Sequence, residues 1–202
     1  ALVGHWPLDG IENGEVRDLG PNRLKSTVIQ PEHISLVDGR NGKAIDFHGP
    51  NGSAAYIRVD GMKNFDFSKG MTVMCWYNPS DSQERGHQGM IVCNGRTSMP
   101  EGFRLLLHYR RILISDGKFT CYAASTPGKH PLKPGVWIHI AATFDGDKTF
   151  RLFIDGPRVI RLGSNSGKYI LDMFPHILES QPSTALADIS VVSNRVPGGI
   201  RS

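Results

Sequence analysis

The sequence predicts an all-β protein, a single β-sandwich of jelly-roll type with two antiparallel sheets over residues 1–202. Three observations favour this fold class. Apolar and polar residues alternate in many short segments. Turn residues are abundant, with 23 Gly and 13 Pro in 202 residues. No window of useful length has the apolar period of a capped amphipathic helix. Many short strands without a linker between two halves are typical of one sandwich domain.

The clearest element is the segment GVWIHIAATFDGDKTFRLFIDG, residues 135–156, which predicts a β-hairpin. Apolar residues occupy every second position from Val136 to Phe144, and the alternation resumes from Phe150 to Ile154. The polar stretch between these two runs begins with Asp-Gly, a pair that favours tight hairpin turns. One face of the hairpin is therefore expected to lie in the core.

Other predicted strands follow the same pattern and end at turn residues, among them six Asp-Gly pairs. The segment 169–180 comes nearest to a helix, but Pro175 interrupts it, so a loop is expected there. The predicted strands are 43–49 and 55–61, which we expect to pair with each other, then 71–79, 89–95, 102–109, 111–117, 119–125, 158–163 and 187–196.

Composition and charge narrow the classes of partner. The formal net charge is +4, and the excess is local: residues 103–161 carry 10 Lys+Arg and 4 Asp+Glu, a net of +6. This basic region favours an anionic partner, or it is simply a solvated surface. There is no dense Lys/Arg run and no apolar run near the roughly 20 residues that span a bilayer. We therefore expect neither nucleic acid binding nor membrane insertion.

The three cysteines leave two alternatives open. Cys75, Cys93 and Cys121 lie in strand-like segments without the C-x-x-C spacing of a zinc site. Cys93 and Cys121 could form a disulfide, or all three could be buried thiols that pack as small apolar groups.

Taken together, the segments resemble a laminin G-like domain of the concanavalin A-like lectin/glucanase superfamily. The resemblance is carried by LVGHWPLDG with VRDLGPNRLKSTV, by GKAIDFHG with AYIRV, by MTVMCWYNP, by the hairpin GVWIHIAATFDGDKTFRLFIDGPRV and by LADISVVSNRV. It spans almost the whole chain and implies the sandwich fold. The chain departs from the family pattern at residues 163–186, which we expect to be a long irregular insertion.

The resemblance also implies a structural Ca²⁺ that joins an early loop to the closing strand. Asp18 and Asp188 match the positions that usually supply its carboxylates. Carbonyl oxygens of the loop after Asp18 could complete the shell of hard oxygen ligands that Ca²⁺ prefers. Ile189 stands where the family often has a second acid, which lowers the charge of the expected site.

Catalysis is not favoured by the residues. Glycoside hydrolases use a pair of carboxylates, and those of this fold carry them on one strand as Glu-x-Asp-x-x-Glu. The Asp145/Asp147 pair lies instead in a predicted turn. The Gln-x-His strand of the fold's alginate lyases is not matched either, because Trp137 stands where Gln would be.

Sugar binding fits the residues better, because a sugar presents apolar C–H faces to aromatic rings and hydroxyls to planar donors. Alternation places Trp76 and His139 on the side of their strands that faces away from the core. Whether the aromatic residues there form a platform or pack beneath a loop stays open. The candidate carbohydrate-binding residues are Trp76, Arg104, His108, Arg110, His139 and Arg151.

The sequence therefore predicts a non-catalytic, lectin-like carbohydrate-binding module that recognises a polysaccharide, with an anionic polysaccharide as one option. It would act outside the cell, secreted or at the cell surface, as part of a larger enzyme or surface protein. One alternative is a laminin G-like module for protein binding or adhesion. A second alternative is a polysaccharide lyase or glycoside hydrolase of the same fold.

Overall fold

The computed structural model describes residues 1–48, 55–66, 69–79, 88–93, 104–108, 111–115, 121–124, 132–145, 149–156, 158–163, 178–179 and 184–193. These residues form strands and two short 3₁₀ turns, Pro31–His33 and Met62–Asn64, and contain no α-helix. The strands are Leu2–Trp6 (β1), Ser26–Ile29 (β2), Ile34–Asp38 (β3), Lys43–Phe47 (β4), Tyr56–Val59 (β5), Met71–Pro79 (β6), Gln88–Cys93 (β7), Arg104–His108 (β8), Arg111–Ser115 (β9), Cys121–Ala124 (β10), Ile138–Phe144 (β11), Thr149–Ile154 (β12), Arg158–Gly163 (β13), Leu178–Glu179 (β14) and Thr184–Ser193 (β15). The all-β prediction is confirmed.

The strands form one large sheet and two smaller ones, and every pairing is antiparallel. The large sheet has eight strands in the order β13-β12-β11-β6-β15-β4-β3, and β1 also pairs with β15. The smaller sheets are β10-β9-β8-β7 and β14-β5-β2. Side chains from all three sheets, such as Tyr77, Ile114 and Ile57, belong to one hydrophobic cluster. The large sheet therefore packs against the smaller two, which makes the predicted sandwich.

The burial of β6 and β11 follows the predicted alternation residue by residue. Met71, Val73, Cys75 and Tyr77 are buried, while the residues between them are half-buried. In β11 buried and half-buried residues alternate without a break from Ile138 to Phe144. Period-two burial thus fixes which side chains of the hairpin point away from the core.

Two details differ from the sequence-based expectations. Strands β4 and β5, expected to pair with each other, lie in different sheets: β4 pairs with β3 and β15, and β5 with β2 and β14. The expected irregular segment 163–186 contains the two-residue strand β14 and the start of β15; residues 164–177 and 180–183 lie outside the described residues.

The two cysteines whose side chains are described agree with the alternative of buried thiols. Cys75 and Cys93 are buried and form no disulfide, so the Cys93–Cys121 bridge is not formed. The Cys121 side chain lies outside the described residues. Within the described part of the chain, no helix is long and apolar enough to cross a bilayer.

Candidate functional site

The outer face of the eight-stranded sheet carries three of the six predicted sugar-binding residues, Trp76, His139 and Arg151. We use "outer face" for the half-buried side chains of β4, β6, β11 and β12 that point away from the core. Register places Trp76 opposite His139, and Thr72 opposite Thr143. The members are Asp46, Thr72, Met74, Trp76, Asn78, His139, Ala141, Thr143, Arg151 and Phe153.

Trp76 is the centre of a small cluster on this face. The His139 ring meets it edge-on, with ring centroids 5.2 Å apart and an interplanar angle of 61°. The guanidinium carbon of Arg40 lies over the indole, 5.4 Å from the ring centroid. A cation at that distance is attracted to the electron-rich face of the ring. An aromatic surface and two sets of nitrogen donors therefore meet at one place, which is the combination that sugar recognition needs.

Arg40 lies in the turn between β3 and β4, which is stabilised by several hydrogen bonds. Gly39 N–H donates to Gly42 O at 2.9 Å, and Gly42 has a φ of +72° that favours glycine. At the base of the turn Lys43 Nζ donates to Asp38 Oδ1 at 2.8 Å. The Lys43 N–H donates to Asp9 Oδ1, also at 2.8 Å. The arginine thus extends from a backbone position that is fixed from two sides.

His139 is positioned by a reciprocal pair of hydrogen bonds to Asp155. The His139 N–H donates to Asp155 Oδ1 at 2.9 Å, and the Asp155 N–H donates to His139 O, also at 2.9 Å. Asp155 adopts a φ of +51°, a left-handed conformation that Asp tolerates better than most residues. These bonds close the end of the β11–β12 hairpin and hold the His139 backbone beside Trp76.

Asp46 gives the outer face a half-buried carboxylate. The register sets Asp46 opposite Ala185 of β15, and Ala185 opposite Asn78 of β6. Burial raises the pKa of Asp46 from its ordinary value of 3.8, and the nearby His48 charge opposes this only in part. The Asp46 carboxylate is therefore less easily ionised in the folded chain than in the unfolded one.

Asp46→Asn is expected to stabilise the protein at neutral pH and to lose this effect in acid. Because the folded pKa is raised, the stability of the wild type falls as pH climbs from 3.8 through the folded pKa. The variant lacks this titration. Urea unfolding of both proteins at pH 3 and pH 7 measures the difference. An equal difference at the two pH values would contradict the prediction.

The remaining predicted sugar-binding residues have different placements. Arg151 lies on the outer face opposite Thr143, four residues along β11 from His139. Arg104 is only 2% exposed, because the outward side of its sheet is also covered: Met90, Cys93 and Leu106 form a second buried cluster there. That burial argues against Arg104 as a donor to a ligand in solvent. The side chains of His108 and Arg110 lie outside the described residues.

Arg40 was missed by the sequence reasoning. Its contact with Trp76 joins two strands that are separated in the sheet by β15, and no local pattern marks it. The Asp38-Gly39 pair indicated the turn itself. It did not indicate the direction in which the side chains of the turn point.

Asp18, the predicted calcium ligand, is a buried acceptor of backbone hydrogen bonds. It is 3% exposed. Its Oδ1 accepts the N–H of His5 at 2.8 Å and of Gly20 at 2.7 Å, and its Oδ2 accepts the N–H of Leu24 at 2.7 Å. Three N–H dipoles thus point their positive ends at the carboxylate, where a cation would have to bind.

The described residues do not fit a Ca²⁺ site at Asp18. Strand β1 also lies between Asp18 and the strand of Asp188. The N–H of His5 in β1 donates to Asp18, and its C=O accepts the N–H of Leu19. The same strand pairs with β15, which carries Asp188. The side chain of Asp188 is outside the described residues. No group of three or more His, Cys, Asp or Glu suited to a metal occurs among the described side chains. Calcium stays a prediction.

An open cavity of about 570 Å³ lies along the loop after β1. Its polar lining includes Asp9, Glu12, Glu15 and Arg17, and Glu15 is already within 3.4 Å of Lys25 Nζ. The cavity lacks the aromatic surface found at Trp76, so we base the functional argument on the outer face.

Comparison with known families fits this architecture. The family model Laminin_G_3, described as concanavalin A-like lectin/glucanases superfamily, matches residues 51–177, more than half of the chain. The chain belongs to this family. The predicted resemblance is thereby confirmed. The matched segment contains Trp76, His139 and Arg151, whereas Arg40 precedes it.

Relatives of this family member are found among clostridial toxins. Paraclostridial mosquitocidal protein 1 of Paraclostridium bifermentans is 23% identical over 163 residues, which is 74% of this chain and 13% of that protein. The crystal structure of its binding domain superposes with a TM-score of 0.71 at 18% identity, covering 97% of this chain and 49% of that domain. The family member described here thus spans a small part of that toxin and about half of its binding domain.

Two botulinum neurotoxin structures are similar in the same way. The binding domain of botulinum neurotoxin DC, solved in complex with rat synaptotagmin II, gives a TM-score of 0.74 at 8% identity and covers 97% of this chain and 49% of its own. Another similar structure is from botulinum neurotoxin type C, whose cell entry is described as dependent on interaction with two ganglioside molecules. It gives a TM-score of 0.70 at 8% identity and covers 98% of this chain and 49% of its own. At these identities the likeness shows the fold.

Proposed function

We propose that this chain is a non-catalytic binding module of a larger secreted protein, and that it recognises a glycan on its outer face at Trp76. The observation that carries the proposal is the Trp76 cluster. Its half-buried indole has His139 at the ring edge, 5.2 Å away, and Arg40 above the ring. Such a surface offers stacking and hydrogen bonding without an acid–base pair placed for bond cleavage.

The relatives support a binding role outside the cell. The mosquitocidal relative contains a domain described as its binding domain, and the type C neurotoxin is described as interacting with gangliosides, which are glycolipids. A chain of this fold in a secreted toxin-like protein would attach the protein to a cell-surface glycan. The fold alone does not assign the site, so the argument depends on Trp76 and its neighbours.

A protein receptor is the second candidate. The neurotoxin DC domain was solved in complex with rat synaptotagmin II, so one relative of this fold binds a protein. In that alternative the outer face would contact the polypeptide of a receptor rather than its sugars.

Trp76→Ala is expected to weaken binding of the recognised glycan about tenfold or more, because a stacked ring is lost. We would screen an immobilised panel of neutral and acidic glycans, gangliosides included, and measure the retained ones by calorimetry. Tyr56→Ala is the matched control, since Tyr56 is also a half-buried strand aromatic but lies in the three-stranded sheet. The control should bind like the wild type.

Two outcomes would contradict the proposal. One is that the wild type retains no glycan of the panel but binds a receptor protein equally well after enzymatic deglycosylation, which favours the second candidate. The other is that Trp76→Ala and Tyr56→Ala bind the glycan equally, which excludes the outer face as the site.

A further inference from the structure

Arg40 is an exposed cation of the β3–β4 turn that lies over the outer face at Trp76. Its side chain is exposed, and its contact in the structure is the indole of Trp76. Among the described residues no carboxylate forms an ion pair with it. The guanidinium therefore lies over an aromatic ring with N–H donors that are free to bind something else.

Three acidic groups near Arg40 in sequence or across the outer face are already engaged. Asp38, at the base of the same turn, accepts Lys43 Nζ at 2.8 Å. Asp9 accepts the Lys43 backbone N–H. Asp155, beyond His139, accepts the His139 N–H. Each of these three carboxylates has a partner other than Arg40. The half-buried Asp46 also lies on the outer face, and in the described part of the chain it forms no ion pair with Arg40.

The position of Arg40 is prepared for a ligand in two respects. The turn that carries it is fixed by the Gly39–Gly42 hydrogen bond and by Asp9. The contact with Trp76 holds the guanidinium above the sheet rather than leaving it free in solvent. Both features reduce the conformational entropy that binding would otherwise cost.

We propose that Arg40 and Trp76 together bind an acidic sugar, with the guanidinium donating hydrogen bonds to its carboxylate and the indole beside it contacting its ring. The inference rests on the glycan-binding function proposed above and names the class of glycan. A carboxylate fits best, since its two oxygens match the planar fork of an arginine. Sulfate offers the same charge in a different shape.

The rest of the outer face suits an anionic chain. The half-buried Arg151 lies on it. His139 and Arg151 are separated by four residues' length of strand, about 13 Å at the usual rise. An acidic polysaccharide anchored at Arg40 could therefore reach a second cation along the same surface.

The test compares each acidic probe with its neutral counterpart by calorimetry: sialyllactose with lactose, and polygalacturonate with its carboxyl-reduced form. Dextran sulfate separates sulfate from carboxylate. The wild type should prefer the acidic member about tenfold, and Arg40→Gln should abolish the preference. Arg40→Lys should restore part of it, because the charge returns without the planar fork.

Arg17→Gln is the matched control, because Arg17 is also exposed and lies on the loop after β1. It should leave the preference unchanged. If the neutral member binds as tightly as the acidic one, or if Arg40→Gln leaves the preference intact, the inference is wrong while the proposed function stands. Tighter binding of dextran sulfate than of polygalacturonate would overturn the carboxylate assignment. If no glycan of any kind binds, the proposed function itself fails.

Discussion

Asp18→Ala is expected to lower the free energy of unfolding by about 3–5 kcal/mol. The Asp18 carboxylate is 3% exposed and accepts the backbone N–H groups of His5, Gly20 and Leu24. Removing it leaves three donors without their acceptor, and a buried unsatisfied donor costs about 1–3 kcal/mol. Urea unfolding followed by tryptophan fluorescence measures the loss.

Two variants and a chelator sharpen this test. Asp18→Asn keeps one acceptor oxygen, so we expect an intermediate loss. Asp9→Ala removes an exposed carboxylate that accepts one N–H, from Lys43, and should cost about 1 kcal/mol. A loss in Asp18→Ala no larger than in Asp9→Ala would count against the buried-acceptor role. The wild type should melt at the same temperature with and without EDTA, and a fall with EDTA would favour the predicted calcium instead.

Phe150→Ala is expected to cost about 3–5 kcal/mol, since it creates a large cavity in a packed core. Phe150 is fully buried. It stacks on Phe144, its cross-strand partner, with ring centroids 4.7 Å apart and an interplanar angle of 22°. The alanine variant loses both the apolar burial and this ring contact. Urea unfolding again measures the free energy.

Phe153→Ala is the control on the same strand. Phe153 lies three residues further along β12 and points to the outer face, where it is half-buried. We expect a cost of about 1–2 kcal/mol for this change. Equal losses in the two variants would mean that the two faces of the hairpin do not differ in burial as described.

Local patterns predicted the elements well and their partners less well. The alternation in Met71–Pro79 and in the β11–β12 hairpin gave both strand type and buried face, because period-two burial is written into neighbouring residues. The pairing of β4 and β5 was predicted wrongly. Both strands instead pair with segments distant in sequence, β15 and β14, and such pairings depend on tertiary packing that no short window contains.

The candidate site was likewise predicted well where a local pattern determines it and poorly where tertiary packing does. Trp76 and His139 were predicted to face away from the core, and the register brings them together. Arg104 was predicted on the right side of its strand, but a second apolar cluster covers that side. Arg40 was missed, since its position over Trp76 arises only when β15 lies between β4 and β6.

That central place of β15 has a consequence for how the chain folds. Thr184–Ser193 is the last described strand, yet it lies between β6 and β4 and also pairs with β1 near the opposite end of the chain. Until this strand has been synthesised, β4 and β6 present open edges that invite association with other chains. Folding must also wait for contacts of high sequence separation, which makes it slow. During translation the sheet can therefore close only after β15 has been made, and a polypeptide interrupted before residue 184 would be prone to aggregate.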